Sequence, residues 1–209
     1  MKTKQIRRII QQAIATEKTT GNLRDAIIGM AFLRGVQLNE PQLNGVIRFI
    51  REYIEHVPGL IDQINAHAKG KGVIDQISPI LEAAEEYFID PLDIIPDQLG
   101  LLGLVDDAYL ANTLMQEISN SFKDKQQKSL FPMDMTQANL FIRNMIDEPA
   151  ASMLDAGVSN VLNGPAIQQT LADFSFSSAS FQVTEPDPIW GNATMDEIVD
   201  ARLGALGVV

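Results

Sequence analysis

The sequence contains no cysteine, which excludes disulfide bonds, thiolate zinc sites, iron–sulfur clusters and a cysteine nucleophile. Its two histidines are too few for a histidine-rich metal site. No segment approaches the roughly 20 consecutive apolar residues of a membrane span, and the first residues lack the apolar stretch of a signal peptide. We therefore expect a cytoplasmic protein without a transmembrane segment.

Basic residues are also scarce. The sequence has 16 Lys and Arg but 27 Asp and Glu, so its formal net charge is −11. This balance argues against a nucleic-acid partner, which requires a basic surface that neutralises phosphates. The sequence also has no phosphate-binding glycine loop, no nucleophile elbow and no dinucleotide fingerprint. These absences favour a non-catalytic protein.

Apolar residues that recur at three- and four-residue spacing predict an all-α fold. We divide the chain into a basic N-terminal helical subdomain over residues 1–71, an acidic helix–elbow–helix module over 72–122, and short helices with a tail over 123–209. The boundary near residue 71 follows the run Lys69 to Gly72, and the expected elbow spans Leu92 to Gly103. The predicted architecture is a multi-helix bundle with this central module and an irregular, partly extended C-terminal arm.

Helix boundaries follow from capping residues and prolines. Asn39 is the expected N-cap of a third helix, which Pro58 and Gly59 should kink or end. Asp134 or Thr136 is the expected cap of a later helix. The C-terminal region should then contain helices ending near residue 145, spanning 148–162 and spanning 165–174.

The charges are distributed unevenly along the chain. Residues 72–122 hold ten acidic residues and no Lys or Arg, whereas residues 1–71 hold 11 basic and six acidic residues. The acidic module must offset its self-repulsion by solvent, partner cations, bound metal or raised pKa values. The simplest source of partner cations is the N-terminal subdomain, through Arg24, Arg34, Arg48 or Arg51.

Two neighbouring segments in the acidic module form a recognisable motif: residues 87–97 read YFIDPLDIIPD and residues 103–107 read GLVDD. Over about residues 73–122 this pattern closely resembles the YkvA-like family of small bacterial helical domains of unknown function. Gly100 stands where that family commonly has proline, and Asp90 where it commonly has serine or a similar small residue. The resemblance implies a helical fold for the module and implies no activity.

Four aspartates of this motif, Asp93, Asp97, Asp106 and Asp107, allow two interpretations. In the first, each is a structural fastener that caps a turn or lies at the positive end of a helix dipole. In the second, the elbow brings the four carboxylates together as a site for Mg²⁺, Mn²⁺ or Ca²⁺, the ions that prefer oxygen ligands. The sequence has no EF-hand loop, so such a site would be irregular.

The tail contains Trp190, the only tryptophan in the chain, followed by an apolar stripe at helical spacing. Tryptophan is a frequent interface anchor, so we predict a partner-binding element. Its candidate residues are Trp190, Ile198, Val199 and Leu203. The tail either folds back on its own chain or docks on another protein or a second copy.

The N-terminus offers a further alternative, because Lys2, Lys4, Arg7 and Arg8 flank three isoleucines in a short basic amphipathic stretch. Such a stretch can lie on anionic lipid or pack into the protein core. We therefore predict a non-catalytic protein-interaction or assembly module. The alternatives are a divalent-metal site on the elbow, with a regulatory or hydrolytic role, and a peripheral membrane protein.

Overall fold

A computed structural model describes residues 2–89, 94–126 and 135–173 of the chain. Within these ranges it contains eight α-helices, one 3₁₀ helix and no strand, so the predicted all-α fold is confirmed. The predicted C-terminal arm, with Trp190, Ile198, Val199 and Leu203, lies outside the described residues. The helices are α1 (Thr3–Thr20), α2 (Asn22–Leu33), α3 (Glu40–Lys71), α4 (Ile74–Glu86), the 3₁₀ helix (Asp97–Leu104), α5 (Val105–Gln126), α6 (Thr136–Met145), α7 (Glu148–Leu162) and α8 (Pro165–Asp173).

Local chemistry favours the junction between α1 and α2 and the start of α3. Gly21 separates α1 from α2 with a φ of 69°, a left-handed conformation that glycine adopts without strain. Asn39 caps α3 as expected, and it forms a reciprocal capping box with Gln42. In that box the Gln42 amide donates to Asn39 Oδ1 at 3.0 Å, and the Asn39 amide donates to Gln42 Oε1 at 2.8 Å.

Of the two alternatives for Pro58 and Gly59, the one that ends the third helix is wrong, because α3 continues to Lys71. The alternative that they kink the helix stays a prediction. A proline inside a helix removes one backbone donor and crowds the preceding turn. The residues around Pro58 are buried in the core, with Val57 at 0% and Leu60 at 2% exposure. Tertiary packing of the apolar face therefore outweighs the local penalty.

One hydrophobic core runs through the described helices and includes residues from all three predicted regions. The inner face of α5, together with Leu104 at the end of the preceding 3₁₀ helix, is almost completely buried, and its members are Ala108, Ala111, Leu114, Met115 and Ile118. Helix α3 does end at Lys71, with Gly72 as a left-handed cap. The division into three domains stays a prediction.

The elbow packs against α1 and α2 through the 3₁₀ helix. Gly100 interrupts this helix with a φ of 71° and a ψ of −132°. A Cβ at Gly100 would lie 3.1 Å from the Ala13 carbonyl oxygen and 3.2 Å from the Glu17 amide nitrogen. Glycine therefore allows both the positive φ and the close approach of the elbow to the α1 backbone.

The three C-terminal helices are where the sequence predicted them, within one residue at each described boundary. The expectation that Thr136 caps α6 is wrong, because Thr136 is already its first helical residue and Met135 is the N-cap. The Met135 amide instead donates to Gln116 Oε1 of α5 at 2.7 Å. Among the described helices, none is both long enough and apolar enough to cross a bilayer.

Candidate functional site

Asp106 fastens the elbow to the start of α5. Its side chain is 2% exposed, and its Oδ2 accepts hydrogen bonds from the amides of Ile94 at 3.1 Å and Ile95 at 2.9 Å. Both lone pairs of that oxygen are thus engaged. Because Asp106 also lies in the first turn of α5, the helix dipole stabilises its charge. This geometry agrees with the structural interpretation of Asp106.

The structure leaves the predicted metal site untested. Asp106 and Asp107 are both buried at the start of α5, whereas Asp93 and the side chain of Asp97 lie outside the described part of the chain. Among the residues that are described, no three His, Asp or Glu side chains form a group that could hold an ion. The four-aspartate site for Mg²⁺, Mn²⁺ or Ca²⁺ therefore stays a prediction.

Glu85 is the most deeply buried acidic residue that the structure describes, with 1% exposure. Its Oε1 accepts a hydrogen bond from the backbone amide of Lys2 at 2.7 Å, immediately before the first residue of α1. The first amides of a helix lack partners within the helix, and they form its positive pole. Glu85, on α4, therefore caps α1 from 83 residues away in sequence.

A buried polar network joins α3, α5 and α6. His56 Nδ1 lies 3.4 Å from Asn112 Oδ1, and Asn112 Nδ2 donates to the Tyr53 carbonyl oxygen at 3.3 Å. The Tyr53 hydroxyl donates to Asn139 Oδ1 at 2.7 Å. Burial lowers the pKa of His56 to about 4 despite the hydrogen bond to Asn112, which raises it. His56 is therefore neutral at pH 7, within a network that joins three helices.

A second network connects α5, α6 and α7 near the surface. The Tyr109 hydroxyl donates to Asp155 Oδ1 at 2.6 Å, and Arg143 Nε donates to Asp155 Oδ2 at 2.9 Å. Arg143 also pairs with Glu148 at 3.1 Å. Burial, followed by the hydrogen bond to Asp155, raises the pKa of the Tyr109 hydroxyl, so it stays protonated as a donor. These contacts position α5, α6 and α7 relative to one another.

Some of the basic residues expected to neutralise the acidic module have other partners. Arg24 pairs with Glu40 at 2.7 Å and Arg51 with Glu55 at 3.1 Å, both within the N-terminal subdomain. Arg34 donates to the Asn144 carbonyl oxygen of α6 at 2.7 Å. One module acid, Glu85, instead accepts a hydrogen bond from the backbone amide of Lys2, the residue before α1.

The C-terminal end of α2 exposes three large apolar side chains, which we call the α2 patch. Ile28 is 44% exposed, Phe32 81% and Leu33 85%. The opposite face of the same helix is in the core, where Leu23, Ile27 and Ala31 are nearly inaccessible to solvent: Leu23 0%, Ile27 2% and Ala31 4%. Single exposed apolar residues are common, but a group on one short helix is typical of an interaction surface.

The surroundings of the α2 patch are open and mixed in charge. Gly29 lies between Ile28 and Phe32 in sequence and is exposed, and a Cβ placed there would meet nothing within 4 Å. Arg34 directly follows the patch and is exposed, while Asp25 lies exposed two turns earlier. The patch therefore offers apolar side chains and accessible helix backbone beside an arginine.

Two concave regions among the described residues lack the groups that a catalytic site requires. A narrow cleft of about 10 Å³, which is about the space of one water molecule, is almost entirely apolar and lies between α2, α3 and α6. A groove of about 340 Å³ between α4 and α8 has Asp75 as its one acidic residue. Neither brings a nucleophile, a base and a positioning group together.

The sequence patterns predict neither Glu85 as a cap nor the α2 patch as a surface. Glu85 cannot be recognised from sequence, because its partner Lys2 is distant along the chain. The three- and four-residue spacing of apolar residues in α2 includes Phe32, but Ala31 occupies the inward position. A helical projection from Leu23 and Ile27 would have placed Phe32 off that stripe.

The comparisons with known proteins concern the elbow. The profile of a family described as a protein of unknown function (DUF1232) matches residues 84–112, from the end of α4 into α5. This segment contains Glu85, Asp106 and Asn112. No curated protein and no solved structure matches the chain. Over residues 84–112, the chain therefore resembles a family whose function is unknown.

Proposed function

We propose that this protein is a non-catalytic interaction module and that the α2 patch is its docking surface. The observation that carries this proposal is the exposure of Phe32 and Leu33, at 81% and 85%, on a helix whose other face is buried. The partner that fits is an acidic protein segment with apolar residues at helical spacing, because such segments dock on apolar surfaces through one face.

The energetics support docking at this patch. Full burial of a Leu or Phe side chain contributes about 1.5–3 kcal/mol each, so these two residues could anchor a partner. Aromatic residues such as Phe32 are enriched at protein interfaces. The accessible backbone at Gly29 would let a partner approach α2 closely.

Charge favours an acidic partner. The N-terminal subdomain carries 11 basic and six acidic residues, a net charge of +5, and α2 belongs to it. Arg34 lies at the edge of the patch. Complementary charge speeds association and selects among partners more than it adds affinity, so the apolar anchors remain the main source of binding energy.

Photo-crosslinking in a lysate of the native host tests the proposal with three forms of the full-length protein: wild type, Phe32→Ser/Leu33→Ser, and Met153→Ser. Met153 is a matched control, because it is 64% exposed on α7 and outside the patch. We expect Phe32→Ser/Leu33→Ser to lose a crosslinked protein that wild type and Met153→Ser retain. That protein, identified by mass spectrometry, should crosslink through an acidic amphipathic segment.

Two results would contradict the proposal. Identical crosslinked proteins in all three forms would mean that the α2 patch does not bind them. Co-sedimentation with anionic vesicles that only the patch variant loses would mean that the surface binds lipid and not protein. Thermal melts of the two variants serve as a folding control, because both changes replace exposed side chains.

The divalent-metal alternative rests on ten acidic residues without a Lys or Arg in residues 72–122. Asp93, Asp97, Asp106 and Asp107 remain its proposed ligands. A melt with millimolar Mg²⁺, Mn²⁺ or Ca²⁺ tests it, because a bound ion stabilises the folded state. An ion-specific rise that Asp106→Asn/Asp107→Asn abolishes would support a metal site, and equal melts with and without ions would end the proposal.

The peripheral-membrane alternative is less favoured, because Ile6 and Ile10 of α1 are 0% and 2% exposed. Binding lipid through that face would require α1 to leave the core. The finer assignment of residues 73–122 to the YkvA-like family is also a proposal, supported by the motif at residues 87–97 and 103–107. That family has no known function, so the assignment would not change the proposed one.

A further inference from the structure

We infer that the α2 patch is covered in cis by the chain's own C-terminal segment, residues 190–206, and that an external partner must displace it. This inference rests on the proposed function, because it names the occupant of the same surface. The protein would then limit its own binding. A tethered segment that competes with an external partner for the same surface makes an autoinhibitory contact.

The chemistry of residues 190–206 matches that of the patch. Apolar residues lie on one stripe if the segment is helical, and the principal members are Ile198, Val199 and Leu203. Residues 174–209 contain five acidic residues and one arginine, a net charge of −4, whereas residues 1–71 carry +5. The segment therefore has the apolar stripe and the negative charge that the proposed partner requires.

The tether is long enough for this contact. Residues 174–189 connect the end of α8 to Trp190, and sixteen residues span up to about 50 Å when extended. A folded body of this size has a radius of gyration of about 15 Å. A tethered segment can reach its site at an effective concentration on the order of millimolar, so even weak intrinsic affinity favours the intramolecular complex.

Thiol labelling of the full-length chain tests the inference without background, because the chain has no cysteine. We compare Leu33→Cys in the patch with Met153→Cys outside it. Among the described residues, Leu33 is 85% exposed and Met153 is 64% exposed. Coverage by residues 190–206 predicts the reverse order of rates, with Leu33→Cys reacting more slowly than Met153→Cys and independently of protein concentration.

A second pair of substitutions tests whether residues 190–206 are the segment that covers the α2 patch. Adding Ile198→Ser/Leu203→Ser to Leu33→Cys should restore fast labelling, whereas Ala201→Ser, which lies off the apolar stripe, should leave the thiol protected. Faster labelling of Leu33→Cys than of Met153→Cys in the starting chain would overturn the inference. So would protection that Ile198→Ser/Leu203→Ser leaves unchanged, since another element would then cover the patch.

Protection that disappears on dilution would also overturn the cis arrangement, because the cover would be a second copy. None of these results decides the proposed function, since a patch without a tail can still bind an external partner. That proposal fails on its own tests, if Phe32→Ser/Leu33→Ser retains every crosslinked protein or if this variant alone loses co-sedimentation with anionic vesicles. The two failures are therefore distinguishable.

Discussion

The start of α5 buries acidic groups, whereas the end of α2 exposes apolar ones. Asp106 and Asp107 are 2% and 5% exposed, while Phe32 and Leu33 are 81% and 85% exposed. The buried Asp106 has backbone partners, which compensate for its removal from water. The exposed apolar pair has no comparable compensation among the described residues. The comparison agrees with a structural role for Asp106 and with the proposed docking role of the α2 patch.

The largest expected effect of pH concerns the buried His56. The unfolded chain binds a proton at the ordinary histidine pKa of 6.5, whereas folded His56 binds one only near pH 4. The free energy of unfolding therefore has its full value above about pH 6.5 and falls as the pH drops to 4. The expected loss is about 3 kcal/mol, from 1.36 kcal/mol per pKa unit.

Denaturant unfolding of wild type and His56→Gln between pH 7 and pH 4 measures this effect. The variant keeps a polar side chain but cannot titrate, so its free energy of unfolding should change less over this range. Parallel pH profiles for the two proteins would mean that His56 is accessible to protons in the folded state, contrary to its burial.

The next effect concerns the contact of the elbow with α1. Gly100→Ala should lower the free energy of unfolding by about 2–3 kcal/mol, because alanine is strained at positive φ and its Cβ meets the α1 backbone. Gly72→Ala is the matched control, since Gly72 also has a positive φ but nothing lies within 4 Å of its Cβ. Equal losses for both variants would contradict close packing of the elbow on α1.

A smaller loss is expected at Asp106. Asp106→Ala removes the acceptor of two backbone amides and should lower the free energy of unfolding by about 1–2 kcal/mol. Asp75→Asn is the control, because Asp75 also lies in the first turn of a helix but is exposed. If Asp106→Ala and wild type have the same free energy of unfolding in the absence of added metal, the hydrogen bonds of Asp106 do not stabilise the elbow.

The smallest effect has the opposite sign and concerns Gly29 beside the patch. Gly29→Ala should raise the free energy of unfolding by about 0.5–1 kcal/mol, because alanine favours the helix and its Cβ has open space. Gly35→Ala should instead lower it, since Gly35 has a φ of 71°. Lower stability in Gly29→Ala, measured by denaturation, would mean that this face of α2 is tightly packed.

Local signals predicted most of the fold. Helices α2 and α7 begin and end near glycine, proline or acidic residues, and α1 ends and α8 begins beside a glycine. The preferences of these residues act over one turn. Pro58 was misjudged because its local penalty is outweighed by burial of neighbouring residues, which only the tertiary structure determines. The capping of α1 by Glu85 was not foreseen for the same reason.

The candidate surface was harder to predict than the fold. Apolar residues at both Ile27 and Phe32 resemble core positions in the sequence, although one is buried and the other exposed. The acidic motif attracted a metal hypothesis, whereas Asp106 bonds two elbow amides. Residue type alone does not distinguish a buried structural carboxylate from a ligand, because the difference lies in its partners.

The most direct test compares Phe32→Ala with Ile27→Ala, two truncations on opposite faces of α2. Ile27 is 2% exposed, so its truncation should lower the free energy of unfolding by about 2–5 kcal/mol. Phe32→Ala should lower it by less than about 1 kcal/mol, because its side chain adds little to the core. Equal losses in the two variants would place Phe32 in the core and contradict its role in docking.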